Sequence, residues 1–137
     1  MITRRDALAG SPLLLLLQTA LRAQSPAGQA AQAPVFQQDL PNLTMEDWQV
    51  TVSEIHEAPG QVGKPHHHPG FVLVYVLEGE VVAKISGGPE KTYKPGEMFY
   101  EYPGSTHEVS KNASATKPAR FLAFIFAKKG LPLTTPA

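Results

Sequence analysis

From Trp48 onward the chain alternates in short bursts. WQVTVSEI (48–55) places apolar or β-branched side chains at regular alternate positions, the pattern of a strand with one buried face. FVLVYVL (71–77) is apolar on both parities, as a strand covered on both sides would be. A Glu78–Gly79 turn leads into EVVAKI (80–85), and SGGPE (86–90) closes that strand. KTY, the turn KPG, EMFYEY, the turn PGST, HEVS and RFLAFIFA then follow at similar spacing. No stretch between 46 and 128 combines a helical apolar period with capping residues. Short strands separated by Gly/Pro turns every ~8–12 residues predict an all-β sandwich or barrel. No repeat is strict enough for a solenoid or propeller.

The flanks read differently. Residues 1–23 carry a basic pair (Arg4, Arg5), an apolar run around Leu13–Leu17 and a small-residue exit, which predicts a cleaved export signal too short to span a bilayer. Thr3-Arg4-Arg5 followed by Leu8 resembles a bacterial twin-arginine signal, with Ala7 where that pattern prefers Phe. The expected destination is the periplasm or the medium, with no stable membrane insertion once the signal is gone. Residues 24–44 are small, polar and Pro-containing at their start, and read as a linker or N-terminal arm. The barrel domain is expected over 45–128, and 129–137 as a loose C-terminal tail.

Composition narrows the chemistry. A length of 137 residues supports one core. Twelve basic residues balance twelve acidic ones, so charge gives no reason to expect nucleic acid or an anionic membrane as partner. With no cysteine, disulfides, thiolate nucleophiles and Cys-based metal sites are excluded. The apolar outer face of 71–77 predicts a homodimer.

Three of the five histidines stand together in KPHHHPG. On a strand, His66 and His68 share a face and His67 points the other way. Two imidazoles so placed can chelate one ion, and Pro65 and Pro69 limit the freedom of the segment. His107, at the start of another strand after PGST, is the candidate third ligand. Three histidines with open positions make a catalytic type of centre for a divalent transition metal.

These spacings, taken together, resemble the two motifs of the cupin superfamily. The first motif runs Gly, five residues, His-x-His, three or four residues, Glu, six residues, Gly. Gly60, His66, His68 and Gly79 match it. The second runs Gly, five residues, Pro-x-Gly, two residues, His, three residues, Asn. Gly96, Gly104 and His107 match it. The chain departs at three places: Val72 stands where the first motif has Glu, Tyr102 replaces a proline, and Asn112 lies one residue late.

The resemblance implies an antiparallel double-stranded β-helix, or jelly-roll barrel, with a metal pocket at one mouth. It implies His66, His68 and His107 as ligands. Without the motif carboxylate, iron, copper, nickel or zinc is expected in preference to hard, oxygen-preferring manganese. Glu101, close to His107 in sequence, is the candidate replacement carboxylate. Glu97 and Glu108 are weaker candidates, His56 beside Glu54 and Glu57 reads as a surface or packing histidine rather than a ligand, and Tyr100 or Tyr102 is expected to offer a hydroxyl to the pocket. The implied function is metal-dependent, oxygenase-like or isomerase-like chemistry on a small organic molecule. The alternatives are a non-catalytic module that binds or senses a small ligand or metal, or an accessory protein with a vestigial site.

Overall fold

In the computed structural model, which describes residues 33–137, nine strands and no helix are found. The expected signal peptide at 1–23 and the start of the linker lie outside the described residues. The strands are β1 (Trp48–Glu57), β2 (His66–His67), β3 (Phe71–Glu78), β4 (Val81–Ile85), β5 (Lys91–Tyr93), β6 (Met98–Glu101), β7 (Thr106–Asn112), β8 (Ala119–Lys128) and β9 (Thr135–Pro136). They form two sheets, β1-β8-β3-β6 and β5-β4-β7-β2-β9, with every pairing antiparallel. This is the all-β architecture expected from the alternation, in the jelly-roll form that the resemblance implies.

The core lies between the sheets. Along β8, Ala119, Phe121, Ala123, Ile125 and Ala127 are buried while the residues between them are partly exposed. Small and large side chains thus alternate on the inner face, so Phe121 and Ile125 fill space left by their alanine neighbours. Val72, Val74 and Val76 of β3, Val81 and Ala83 of β4 and Phe99 of β6 complete the cluster. Each large apolar side chain fully buried here contributes about 1.5–3 kcal/mol. The β3–β4 turn requires its glycine: Gly79 has φ 70°, and a Cβ there would stand 2.5 Å from the Pro118 carbonyl oxygen.

Two features depart from the expectations. The C-terminal segment is not loose. Thr135 and Pro136 pair with His67 and His66, the Ala137 amide donates to Pro65, and Leu133 packs on the core. The other departure is in β7. Lys84 pairs with Val109 but the next residue, Ile85, pairs with His107, so β7 carries Glu108 as one extra residue. Such a bulge lets residues an odd number apart face the same way. His107, Ser110 and Asn112 are accordingly all buried. The late position of Asn112 is absorbed here, and its side chain donates to the carbonyls of Glu57, Ala58 and Lys117 while accepting from the Ser114 amide.

Candidate metal centre

Strand pairing brings the candidate residues together. His66 stands directly across from His107 in the β2–β7 ladder, so both side chains leave the sheet on the same face, with ring centroids 4.9 Å apart. His68, just beyond β2, turns its ring edge-on to His66 at 5.0 Å. Glu101 arrives from the opposite sheet. It is the cross-strand partner of Val72 in the β3–β6 ladder and therefore shares the face that residue 72 presents. A carboxylate thus stands one strand over from the position that Val72 occupies.

His66, His68 and Glu101 bring ligand-type atoms within 4.8 Å of one another. Glu101 is 3% exposed and lies between two imidazoles, 3.6 Å from His68 Nε2 and 3.3 Å from His107 Nδ1. The tautomers of two rings follow from their partners. His66 Nδ1 is 2.8 Å from the Lys64 carbonyl oxygen and His68 Nδ1 is 2.7 Å from that of Leu133. A carbonyl only accepts, so each Nδ1 carries a hydrogen, and in the neutral ring Nε2 then keeps a free lone pair. Burial, more than any neighbour, pushes the His66 imidazole below its ordinary value and favours this neutral form. His107 is 4% exposed, and its Nε2 is buried with no hydrogen-bond partner. Two Nε2 lone pairs held toward a carboxylate suit a divalent transition metal, and the orphaned His107 nitrogen lies on the ring that meets the same carboxylate through Nδ1. The compact trio is therefore two histidines and Glu101, with His107 joined to it through the carboxylate.

The other sequence candidates are elsewhere. His67 faces away, its Nδ1 3.1 Å from the Ser105 carbonyl oxygen. His56 is on the surface beside Glu54. Glu97 accepts from the Lys94 amide in a turn, and Glu108 pairs with Lys84. Tyr102 donates to the Ser86 carbonyl, and neither it nor Tyr100 lines the cavity at the cluster.

That cavity, of about 380 Å³, opens between the sheets. Ile55, Phe121, Ala123, Ile125 and Leu133 give it apolar walls, with the histidine cluster on one side. Glu57 and Ser110 add a second polar group, which the sequence analysis did not single out. Ser53, Ile55 and Glu57 share the inward parity of β1, whereas the apolar Val50 and Val52, on the other parity, are half exposed, so Ile55 alone signals the buried place of Glu57.

Comparison with known proteins gives consistent results. A family model described as "Cupin domain" matches residues 53–125, more than half of the chain. Germin-like protein subfamily 2 member 4 of Arabidopsis thaliana is 35% identical over 79 residues, covering 54% of this chain and 36% of the relative. The chain thus spans about a third of that curated relative. A Klebsiella pneumoniae protein with a double-stranded β-helix domain superposes with a TM-score of 0.55 at 20% identity, covering 80% of this chain and 98% of that one. Oxalate decarboxylase of Bacillus subtilis, described with Mn(II) centres, superposes with a TM-score of 0.53 at 21% identity, covering 64% of this chain and 23% of that one. At these identities the two superpositions establish the fold.

Proposed function

This chain belongs to the cupin family, and from that premise we propose that it is an exported protein holding a divalent transition metal in its barrel mouth and acting on a small organic molecule. The observation that carries the proposal is the pair of Nδ1–H···O=C bonds that aim the Nε2 lone pairs of His66 and His68 beside Glu101. His107 would be the fourth ligand. Glu101 adds a hard oxygen donor, so manganese, named for the oxalate decarboxylase, joins iron, copper, nickel and zinc as a candidate ion. When bound, such an ion supplies Lewis-acid polarisation or a redox-active centre. The chain's own residues orient the imidazoles, supply the carboxylate and, through the apolar walls, limit water around the ligand.

The deciding experiment is elemental analysis of untagged protein, wild type beside His66→Ala/His68→Ala. Near-stoichiometric metal in the wild type, lost in the variant, is the expected result. Wild type that neither carries metal nor takes it up on reconstitution would refute the proposal.

Export rests on residues 1–23 and is tested by fractionating cells that express the full chain. A homodimer is supported by the outer face of the β1-β8-β3 sheet. Val50 and Val52, each about half exposed, stand across from Phe126 and Phe124, and Phe124 stands across from Leu73. Sedimentation of wild type against Val52→Lys/Phe124→Lys tests it, with a monomeric variant expected.

A further inference from the structure

Glu57 is 3% exposed, yet little in the fold accounts for its charge. Its Oε1 has one long hydrogen bond, 3.4 Å from Ser110 Oγ, and its Oε2 is buried with no partner. Among the described residues, no Lys, Arg or His nitrogen lies within ion-pair distance of this carboxylate. Neighbouring Arg120 is committed outside the barrel to Glu54 and Glu78. An uncompensated buried carboxylate costs a fold stability and returns no bond to it. Its place is not solvent or core but the wall of the cavity that the histidine cluster also lines. Backbone bonds fix that place: Asn112 Nδ2 donates to the carbonyls of Glu57 and Ala58. The carboxylate is thus anchored through its backbone while its side-chain oxygen stays free.

We propose that Glu57 is the ligand-recognition group of this cavity, accepting a hydrogen bond from a hydroxyl or ammonium group of a small organic molecule whose other end meets the histidine cluster. This deepens the metal reading and rests on it for the second contact. The ligand class follows from the lining: an anionic oxygen at the cluster, a short apolar middle against Ile55 and Phe121, and a donor at Glu57. Ser110 Oγ donates to Oε1 alone, which leaves Oε2 as the acceptor without a partner.

The test uses metal-reconstituted full-length protein and calorimetric titration with butyrate, valerate and hexanoate beside their ω-hydroxy and ω-amino derivatives. At the best-fitting length the wild type is expected to bind a donor-bearing probe roughly tenfold or more tighter than the plain acid. The advantage should vanish in Glu57→Leu with metal content unchanged. Should Glu57→Leu not fold, the isosteric Glu57→Gln serves, and there the ω-amino advantage should be lost. The hydroxy and amino arms tell which donor the carboxylate takes. Equal affinities in the wild type, no binding of any probe to metal-loaded protein, or an advantage that survives loss of the carboxylate would overturn the assignment. Protein that takes up no metal breaks the metal reading alone, and the same titrations then decide for Glu57 by whether any probe separates wild type from Glu57→Leu.

Discussion

Glu57 and Glu101 are equally hidden, each 3% exposed, and both line the same cavity. Their surroundings differ. Glu101 stands between the imidazoles of His68 and His107: His107 Nδ1 can donate to it directly, and His68 Nε2 can meet it through an ion. Glu57 has a single distant hydroxyl. Burial alone therefore does not mark a carboxylate's role; what compensates it does. A carboxylate with convergent nitrogen lone pairs around it is half of a coordination shell, whereas one left bare in a cavity wall awaits a group from outside the chain.

The strongest way to break this contrast is to remove the Glu101 carboxylate. Glu101→Val is expected to weaken metal retention by more than the ~10–100-fold that loss of an orienting partner costs, measured by competition with a chelator. Retention at wild-type level would leave the three histidines as the whole shell. Val72→Glu in the same background returns a carboxylate to the cross-strand position on the same face and should restore most of the affinity.

Next in size is Asn112→Ala. Three carbonyls lose their side-chain donor, so unfolding in urea should show a loss of about 2–4 kcal/mol, and the Glu57 end of the cavity should loosen while metal binding persists.

Glu57→Gln should move stability the other way, by about 1 kcal/mol at neutral pH, because a neutral amide costs less to bury than a carboxylate. Burial pushes the Glu57 carboxyl above its ordinary value, against the lowering effects of Ser110 and His107. Between the ordinary and the raised value the folded state holds a proton that the unfolded chain has released. Wild-type stability should therefore fall as pH rises through that window, with the penalty absent below it, and this part of the slope should disappear in Glu57→Gln. The smallest effect belongs to an exposed carboxylate: Glu54→Gln, beside Arg120 on the surface, should change stability by less than about 1 kcal/mol.

Much of this was legible in the chain itself. The period-two alternation of 48–57 and 119–128 and the turns at Gly79 and Gly96 follow local rules, and they gave the strands and the fold class. That His66 and His68 share a direction follows from parity. What was not legible is long-range register. Whether Glu101 lies beside residue 72 depends on how β6 pairs with β3, and more than 20 residues of turn and strand separate Glu101 from Val72. The pairing of Thr135 and Pro136 with β2 has the same cause, since a Pro-rich two-residue strand carries no periodic signal. Glu57 was hidden for a plainer reason. It stands in a charged stretch with Glu54 and His56, and only the parity of Ile55 distinguishes it.

The bulge in β7 bears on how such sequences should be aligned. A pattern that counts residues from His107 to Asn112 finds the second displaced by one and scores a mismatch. A pattern that counts inward-facing positions finds His107, Ser110 and Asn112 in unbroken succession. The gap belongs between His107 and Ser110, where a one-residue deletion would straighten the strand and leave every later side chain on its present face. Anywhere else in β7, the same deletion would turn the barrel lining outward.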